Sequence, residues 1–249
     1  MRTMKILAAT ALAVLGLAVV ATAQTTTYDV GGTVSVRGGS KAKPKPGGLT
    51  FSFTVSDPSG NQTPPVQTYS IMYEGGRLNT GLLPGCSAAK INAAPTPDTS
   101  VCPAGSKMGS GSLKALIGSA GQPVSGASNC TASLTLFGGG KGHATLFVSS
   151  ELATCPVALR QAIDMKYVTT PTMAGLEFSV PEELRHQASL DITVVHADAK
   201  LNTIVKKQGK KKVGYIESTG CKDANRDMTV TFTDETGTAF PATKTLGAC

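Results

Sequence analysis

Apolar and polar residues alternate along most of this chain with a period of two. Thr, Val, Ile, Phe and Tyr fill one set of positions, and Ser, Thr, Asp or Lys fill the other. Such alternation is typical of strands that bury one face. The clearest cases are Tyr28–Arg37, Leu49–Ser56, Val66–Tyr73, Ala132–Phe137, Ala144–Ser149, Ser189–His196 and Met228–Thr233. Many short strands at this spacing, without helices between them, predict an all-β fold, an antiparallel β-sandwich with little helix.

Segments rich in Gly, Pro and Asp separate these strands and predict turns at Asp57–Gly60, Gly138–Gly142 and Asp234–Gly237. Helix is expected in two short segments only. Pro156–Asp164 has the composition for a turn or two, and Pro181–Arg185 has the Pro and acidic residues that suit a helix start.

The N-terminus has the order of parts found in a cleavable signal peptide. Arg2 and Lys5 come first, an uncharged apolar run covers Ile6–Val20, and Ala21-Thr22-Ala23 provides small residues for cleavage. We therefore expect residues 1–23 to be a signal peptide and residues 24–249 to be a secreted β-sandwich domain. A division of that domain near residue 125 is the alternative. The mature form is expected to contain no membrane span, because no later segment is long and apolar enough.

Six cysteines follow the predicted cleavage site, and an even number in an exported chain favours disulfides. Six cysteines allow 15 pairings, and spacing alone does not choose among them. The sequential set is favoured, because each pair then brackets one turn-rich segment: Cys86 with Cys102, Cys130 with Cys155, and Cys221 with Cys249. A zinc site is disfavoured, because the chain has no Cys-x-x-Cys and only three scattered histidines.

The charge of the chain is mildly basic, and its lysines are unevenly placed. The formal net charge of +7 falls to +5 when Arg2 and Lys5 leave with the signal peptide. The densest cluster, on a predicted hairpin tip, contains Lys206, Lys207, Lys210, Lys211 and Lys212. Such a cluster attracts polyanions, including anionic cell-wall polymers, although a solvated turn that protects a sheet edge has the same composition. No aromatic residue is interleaved with the lysines, so nucleic acid is not expected as a partner.

The sequence contains no complete catalytic motif. Gly138–His143 lacks the helix context of a phosphate loop, and Gly109–Ser112 lacks a full nucleophile elbow. His196 and Asp198 share a strand face, but two residues do not make a site. We expect a protein that is not an enzyme and has no cofactor or metal. The alternative is a secreted hydrolase assembled only by the fold, with Asp191, His196, Asp198 or His143 as candidates.

Several cysteine-containing segments carry a resemblance to a known group. They are Leu83–Ser87, Cys102–Gly111, Tyr215–Cys221, Thr231–Thr233 and the terminal Cys249. The layout, Pro-x-Cys followed by Cys-Pro-x-x-Ser-x-x-Gly-x-Gly, resembles an uncharacterised group of secreted actinobacterial proteins with a cysteine near the last residue. The resemblance covers about residues 66–249. It implies export, disulfides and a β fold, and nothing catalytic.

Together these features predict a non-enzymatic secreted or cell-envelope protein, a binding or structural β-sandwich module that is extracellular, with association to the cell wall as a further option. It would present loops from a disulfide-pinned β framework to a ligand, an anionic cell-wall polymer or another surface protein. The sequence does not identify the partner.

Overall fold

The computed structural model of the protein describes residues 26–223 and 225–249. The predicted signal peptide, residues 1–23, lies outside the described residues. Within them, the chain forms seventeen strands, one short α-helix and three 3-10 turns. The first strands are β1 (Thr27–Val34), β2 (Lys45–Gly47), β3 (Leu49–Ser56), β4 (Val66–Glu74) and β5 (Gly76–Leu78). The excursion that follows contains α1 (Ala88–Asn92) and a 3-10 turn at Thr99–Val101.

Strands β6 to β12, most of them long, form the middle of the chain, and a hairpin follows them. The former are β6 (Lys107–Gly118), β7 (Ser128–Gly140), β8 (His143–Ser149), β9 (Arg160–Thr169), β10 (Met173–Ser179), β11 (His186–Gln187) and β12 (Leu190–Leu201), with 3-10 turns at Val124–Gly126 and Glu182–Leu184. The remaining strands are β13 (Val205–Gln208), β14 (Lys211–Gly214), β15 (Ile216–Ser218), β16 (Asn225–Asp234) and β17 (Ala239–Ala248).

One antiparallel sheet dominates the fold. Its strand order is β1-β3-β12-β6-β7-β8-β9-β10-β4-β16-β17, with β11 paired to the start of β12. The two edge strands lie against each other, and the ring of Tyr28 on β1 stacks on Phe232 and Phe240 with centroid distances of 4.6 and 5.3 Å. The sheet is therefore nearly closed, between a sandwich and a barrel in form, and it combines strands from both sides of residue 125.

Strand alternation places the core inside this sheet. The inward residues are buried and form one apolar cluster, whereas the outward residues are mostly polar or charged. A smaller cluster lies outside the sheet, where α1 packs Ile91 onto Phe147 and Ala162. This covered outer face is the reason that the first half of β9 does not alternate.

Two small sheets and two turn regions define the ends of the molecule. The order β2-β15-β5 forms a three-stranded sheet, and β13 pairs only with β14. β13, β14 and β15 follow the end of β12 at Leu201 in the chain. We call the region formed by these two small sheets the base. The opposite region, the strap end, contains residues 180–187 and the β16–β17 turn, because β10 runs from the base at Met173 to Val180.

The expected fold class, turns and disulfide pairing agree with the structure, and the two expected helices do not. The all-β fold, the predicted turns and the sequential disulfides Cys86–Cys102, Cys130–Cys155 and Cys221–Cys249 are all present. The expected helix over Pro156–Asp164 is absent; the chain there leads into β9, because Ile163 and Met165 point into the sheet. At Pro181–Arg185 the expected helix is a 3-10 turn.

Candidate functional site

The interior of the nearly closed sheet contains a cavity of about 160 Å³. Inward residues of most long strands line it, such as Phe51 on β3, Leu134 on β7 and Leu176 on β10. The lining is formed by Leu, Ile, Val, Phe, Met, Ala, Gly and Tyr alone. A space of this size with only apolar walls stays dry and accepts hydrocarbon rather than water.

The base closes one end of the cavity through a polar network. Ile216 on β15 and Leu78 on β5 face the cavity, and the neighbouring Glu217 faces away from it. The Glu217 side chain is only 2% exposed, yet its carboxylate accepts hydrogen bonds from Arg77 Nε, Asn79 Nδ2 and the Gly214 backbone N, each at 2.9 Å. These hydrogen bonds join β15 to the β5 segment and to the end of β14 at the base.

Those donors set the ionisation of Glu217. Burial by itself would raise the pKa of this carboxyl, but the hydrogen bonds from Gly214, Asn79 and Arg77, together with the positive charge of Arg77, outweigh it. The pKa of Glu217 is therefore lowered, and the carboxylate is the form that the fold stabilises.

A short strap, residues 180–187, closes the other end of the cavity. Val180 and Leu184 of the strap line the cavity. The strap is held from outside by Arg185, whose side chain is 10% exposed, donates from Nε to the Val180 carbonyl at 3.1 Å and forms an ion pair with Glu235 in the β16–β17 turn. The end of the cavity thus depends on polar contacts between two turns.

His186 completes this polar latch. Its Nε2 lies 2.6 Å from Glu235 Oε1, and its Nδ1 lies 3.0 Å from Asp191 Oδ1 at the start of β12. The other Asp191 oxygen accepts from the backbone N of Ala120 at 2.8 Å. Asp191, one of the hydrolase candidates, is therefore a structural anchor for the strap.

Two tyrosines in the cavity wall, Tyr69 and Tyr73, are neutral. Burial raises the pKa of Tyr69 and of Tyr73, so both phenols keep their protons across the physiological range. Tyr167 and Tyr215 hydrogen-bond to each other. The hydroxyl of Tyr73 is buried and has no hydrogen-bond partner among the described residues. Because none of the described lining residues carries a charge, the cavity suits an uncharged occupant.

The remaining histidine candidates lie apart on the outer face of the sheet. His196 Nδ1 lies 3.1 Å from Thr54 Oγ1, and its Nε2 lies 4.0 Å from Asp198 Oδ1. His143, on β8, pairs instead with Asp164 at 3.0 Å. Each pair is about half exposed, and the sequence candidates do not converge on one pocket.

The predicted lysine cluster lies on a hairpin, as expected. Val205 pairs with Gly214 and Gln208 with Lys211, while Gly209 adopts a φ of +62° in the turn. The lysines of the cluster are all exposed. They lie outside the cavity, at the base.

The described residues contain neither a metal-binding cluster nor a membrane-spanning helix. No group of three His, Cys, Asp or Glu side chains is arranged to hold a metal ion. In this part of the chain no helix has the length and apolar character needed to cross a membrane.

Comparison with protein-family models, with curated proteins and with solved structures gives no match. The resemblance to secreted actinobacterial proteins therefore stays an interpretation of the cysteine layout.

Proposed function

We propose that this protein is a non-enzymatic binding protein of the extracellular space or cell envelope, and that it takes a small apolar molecule, or the end of an acyl chain, into its cavity. The observation that carries the proposal is the cavity of about 160 Å³ inside the sheet, lined by uncharged and almost entirely apolar side chains. Three disulfides support an oxidising compartment, in agreement with the expected signal peptide.

The size of the cavity sets the size of the ligand. An apolar cavity of about 150 Å³ is large enough for benzene. A void costs a fold about 24 cal/mol per Å³, so 160 Å³ left empty would cost about 4 kcal/mol. A purely structural β domain gains nothing from such a void, whereas a binding protein recovers this free energy when the ligand fills it.

The chemistry of the wall excludes charged ligands. A carboxylate or phosphate in this cavity would lose its hydration without gaining an ionic partner. The charged head of an acyl ligand would therefore stay outside, beyond the strap.

The hydrolase alternative is supported by no described arrangement. Glycosidases and triad hydrolases need their acids, bases and nucleophiles to converge on a substrate cleft. Here Thr54, His196 and Asp198 form a row on an open strand face, and the cavity contains no base or ionised nucleophile.

Titration of the purified, oxidised protein with benzene and with octanoate tests the proposal. We expect saturable binding. Calorimetry at several temperatures should then show a negative heat-capacity change, because binding buries apolar surface. Ala199→Leu places three more carbons at a half-buried lining position on β12 and should weaken benzene binding at least tenfold. Ala104→Leu, at an exposed loop position, is the matched control and should bind as the parent does.

Thermal unfolding of each variant keeps the result interpretable. Ala199→Leu should unfold at the parental temperature or above it, since the added carbons occupy the void. Absence of saturable binding to the parent protein, or equal affinity in a folded Ala199→Leu variant, would contradict the proposal.

A further inference from the structure

Two basic segments, far apart in sequence, lie next to each other at the base of the molecule. One is the lysine hairpin β13–β14, and the other is the loop that contains Lys41, Lys43 and Lys45, which are all exposed. The contact between β14 and β2 joins them, and Gly214 lies so close to Pro46 that an added Cβ would be 2.7 Å from the Pro46 Cβ. The fold therefore builds one basic surface, which we call the basic end.

This surface is not neutralised within the protein. None of its lysines takes part in an ion pair among the described residues. The acid closest in sequence, Glu217, is buried and bonded to Arg77. The positive charge of the basic end is thus available to an external anion.

The hairpin gains nothing for folding from its lysines. Lys207 on β13 lies directly opposite Lys212 on β14, and like charges in that arrangement destabilise a strand pair. The residues of β13 are all exposed, including Val205 at 42%, so the hairpin tip buries no core. Protection of a sheet edge needs one or two charges, not charges on both strands, the turn and a second loop.

We infer that the basic end binds a linear polyanion of the phosphodiester or polyphosphate kind, such as an anionic cell-wall polymer. The charges spread along a hairpin and a loop instead of converging on a pocket, so they match a chain of repeated phosphates better than a single anion. No aromatic residue stands among the lysines of either segment, so the surface has no platform for stacking bases. This inference is independent of the cavity.

The test compares two triple variants with the same loss of charge. Lys207→Gln with Lys211→Gln and Lys212→Gln changes the hairpin. The control changes Lys114, Lys166 and Lys244 to Gln; these are exposed on the outward faces of three strands of the main sheet. Binding of inorganic polyphosphate of defined length is measured at several salt concentrations, with an oligo(dT) of equal charge as the second probe.

We expect the parent protein to bind polyphosphate with an affinity that falls steeply with salt. Each contacted lysine adds about 0.7 to the slope of log affinity against log salt, so the hairpin variant should lose about 2 from that slope. The five hairpin lysines alone account for a fall in affinity of about 100-fold between 50 and 200 mM salt, and the two that remain in the variant for about 7-fold; contacts from the loop add equally to both. The control should retain the parental slope.

Three results would overturn the inference. Equal losses of polyphosphate affinity in the two variants would show that net charge alone accounts for binding. Absence of polyphosphate binding at low salt would show that this polyanion is not a ligand. Tighter binding of oligo(dT) that persists at high salt would assign the surface to nucleic acid instead. The hairpin variant should unfold at the parental temperature or slightly above it, because its tip buries no core residue and the repulsion between Lys207 and Lys212 is removed.

Discussion

Replacing Glu217 with Gln probes the base of the cavity most directly. In the parent the carboxylate is 2% exposed and is bonded to Arg77, Asn79 and Gly214. Gln keeps the shape but carries no charge, and its amide NH2 would face donors rather than acceptors. The substitution therefore leaves at least one buried donor without a partner.

The magnitude follows from the burial of the two partners. Removing one member of a buried ion pair costs about 3–5 kcal/mol, because the other charge is left uncompensated. Arg77 is 43% exposed, so water solvates part of the released charge and the low end applies. We expect a loss of about 3 kcal/mol in the free energy of unfolding, which corresponds to a decrease of about 6–12 °C in Tm for a chain of this size.

The direction of the Glu217 pKa shift predicts how this loss of stability changes with pH. The pKa of Glu217 is lower in the folded protein than in the unfolded chain, so its contribution is fully present above the ordinary carboxyl pKa. That contribution is lost as the pH falls from the ordinary carboxyl pKa through the lowered value. Glu217→Gln should therefore be less stable than the parent at neutral pH, and the difference should shrink on acidification.

Urea unfolding at neutral and acidic pH measures both effects. Glu177→Gln, at an exposed position on β10, is the matched control and should change stability by less than about 0.5 kcal/mol. A Glu217→Gln variant as stable as the parent at pH 7, with the same m value, would refute the reasoning. So would a difference between them that grows as the pH falls.

Two further predictions concern the strap and the first disulfide. Glu235→Gln removes the ion pair with Arg185 and should speed benzene dissociation several-fold in stopped-flow experiments, whereas Glu182→Gln, exposed in the strap, should not. Replacing Cys86 and Cys102 with Ala opens a loop with a sequence separation of 16 and should lower the free energy of unfolding by about 3 kcal/mol in urea; an unchanged midpoint would contradict that estimate.

Strands with one buried face were predictable from the sequence, and strands with unusual neighbours were not. Leu49–Ser56 alternates cleanly and has those bounds in the structure. β6 was missed because its first inward positions are Gly109 and Gly111, which carry no apolar signal. These glycines are required by close backbone approach, since a Cβ at Gly111 would lie 2.0 Å from the Asp198 carbonyl oxygen.

The two candidate sites differ in how far each could be predicted from the sequence. The lysine hairpin was visible as a charge cluster between two strand patterns, but its junction with Lys41, Lys43 and Lys45 depends on the pairing of β2 with β15. The cavity was not predictable at all. Its lining residues look like ordinary core residues, and whether they meet in the centre depends on how the edge strands β1 and β17 approach each other.

The strap and the basic end lie at opposite ends of the same strand. β12 begins beside the strap, where Leu190 pairs with Gln187, and ends at Leu201, four residues before the lysine hairpin. Twelve residues in a strand span about 40 Å, so the lysines lie far from Leu184 and Glu235. A protein held by its basic end would therefore keep the strap facing away from the polymer. The two proposed activities are thus compatible in one molecule, with the polyanion fixing its position and the apolar cavity left open to exchange.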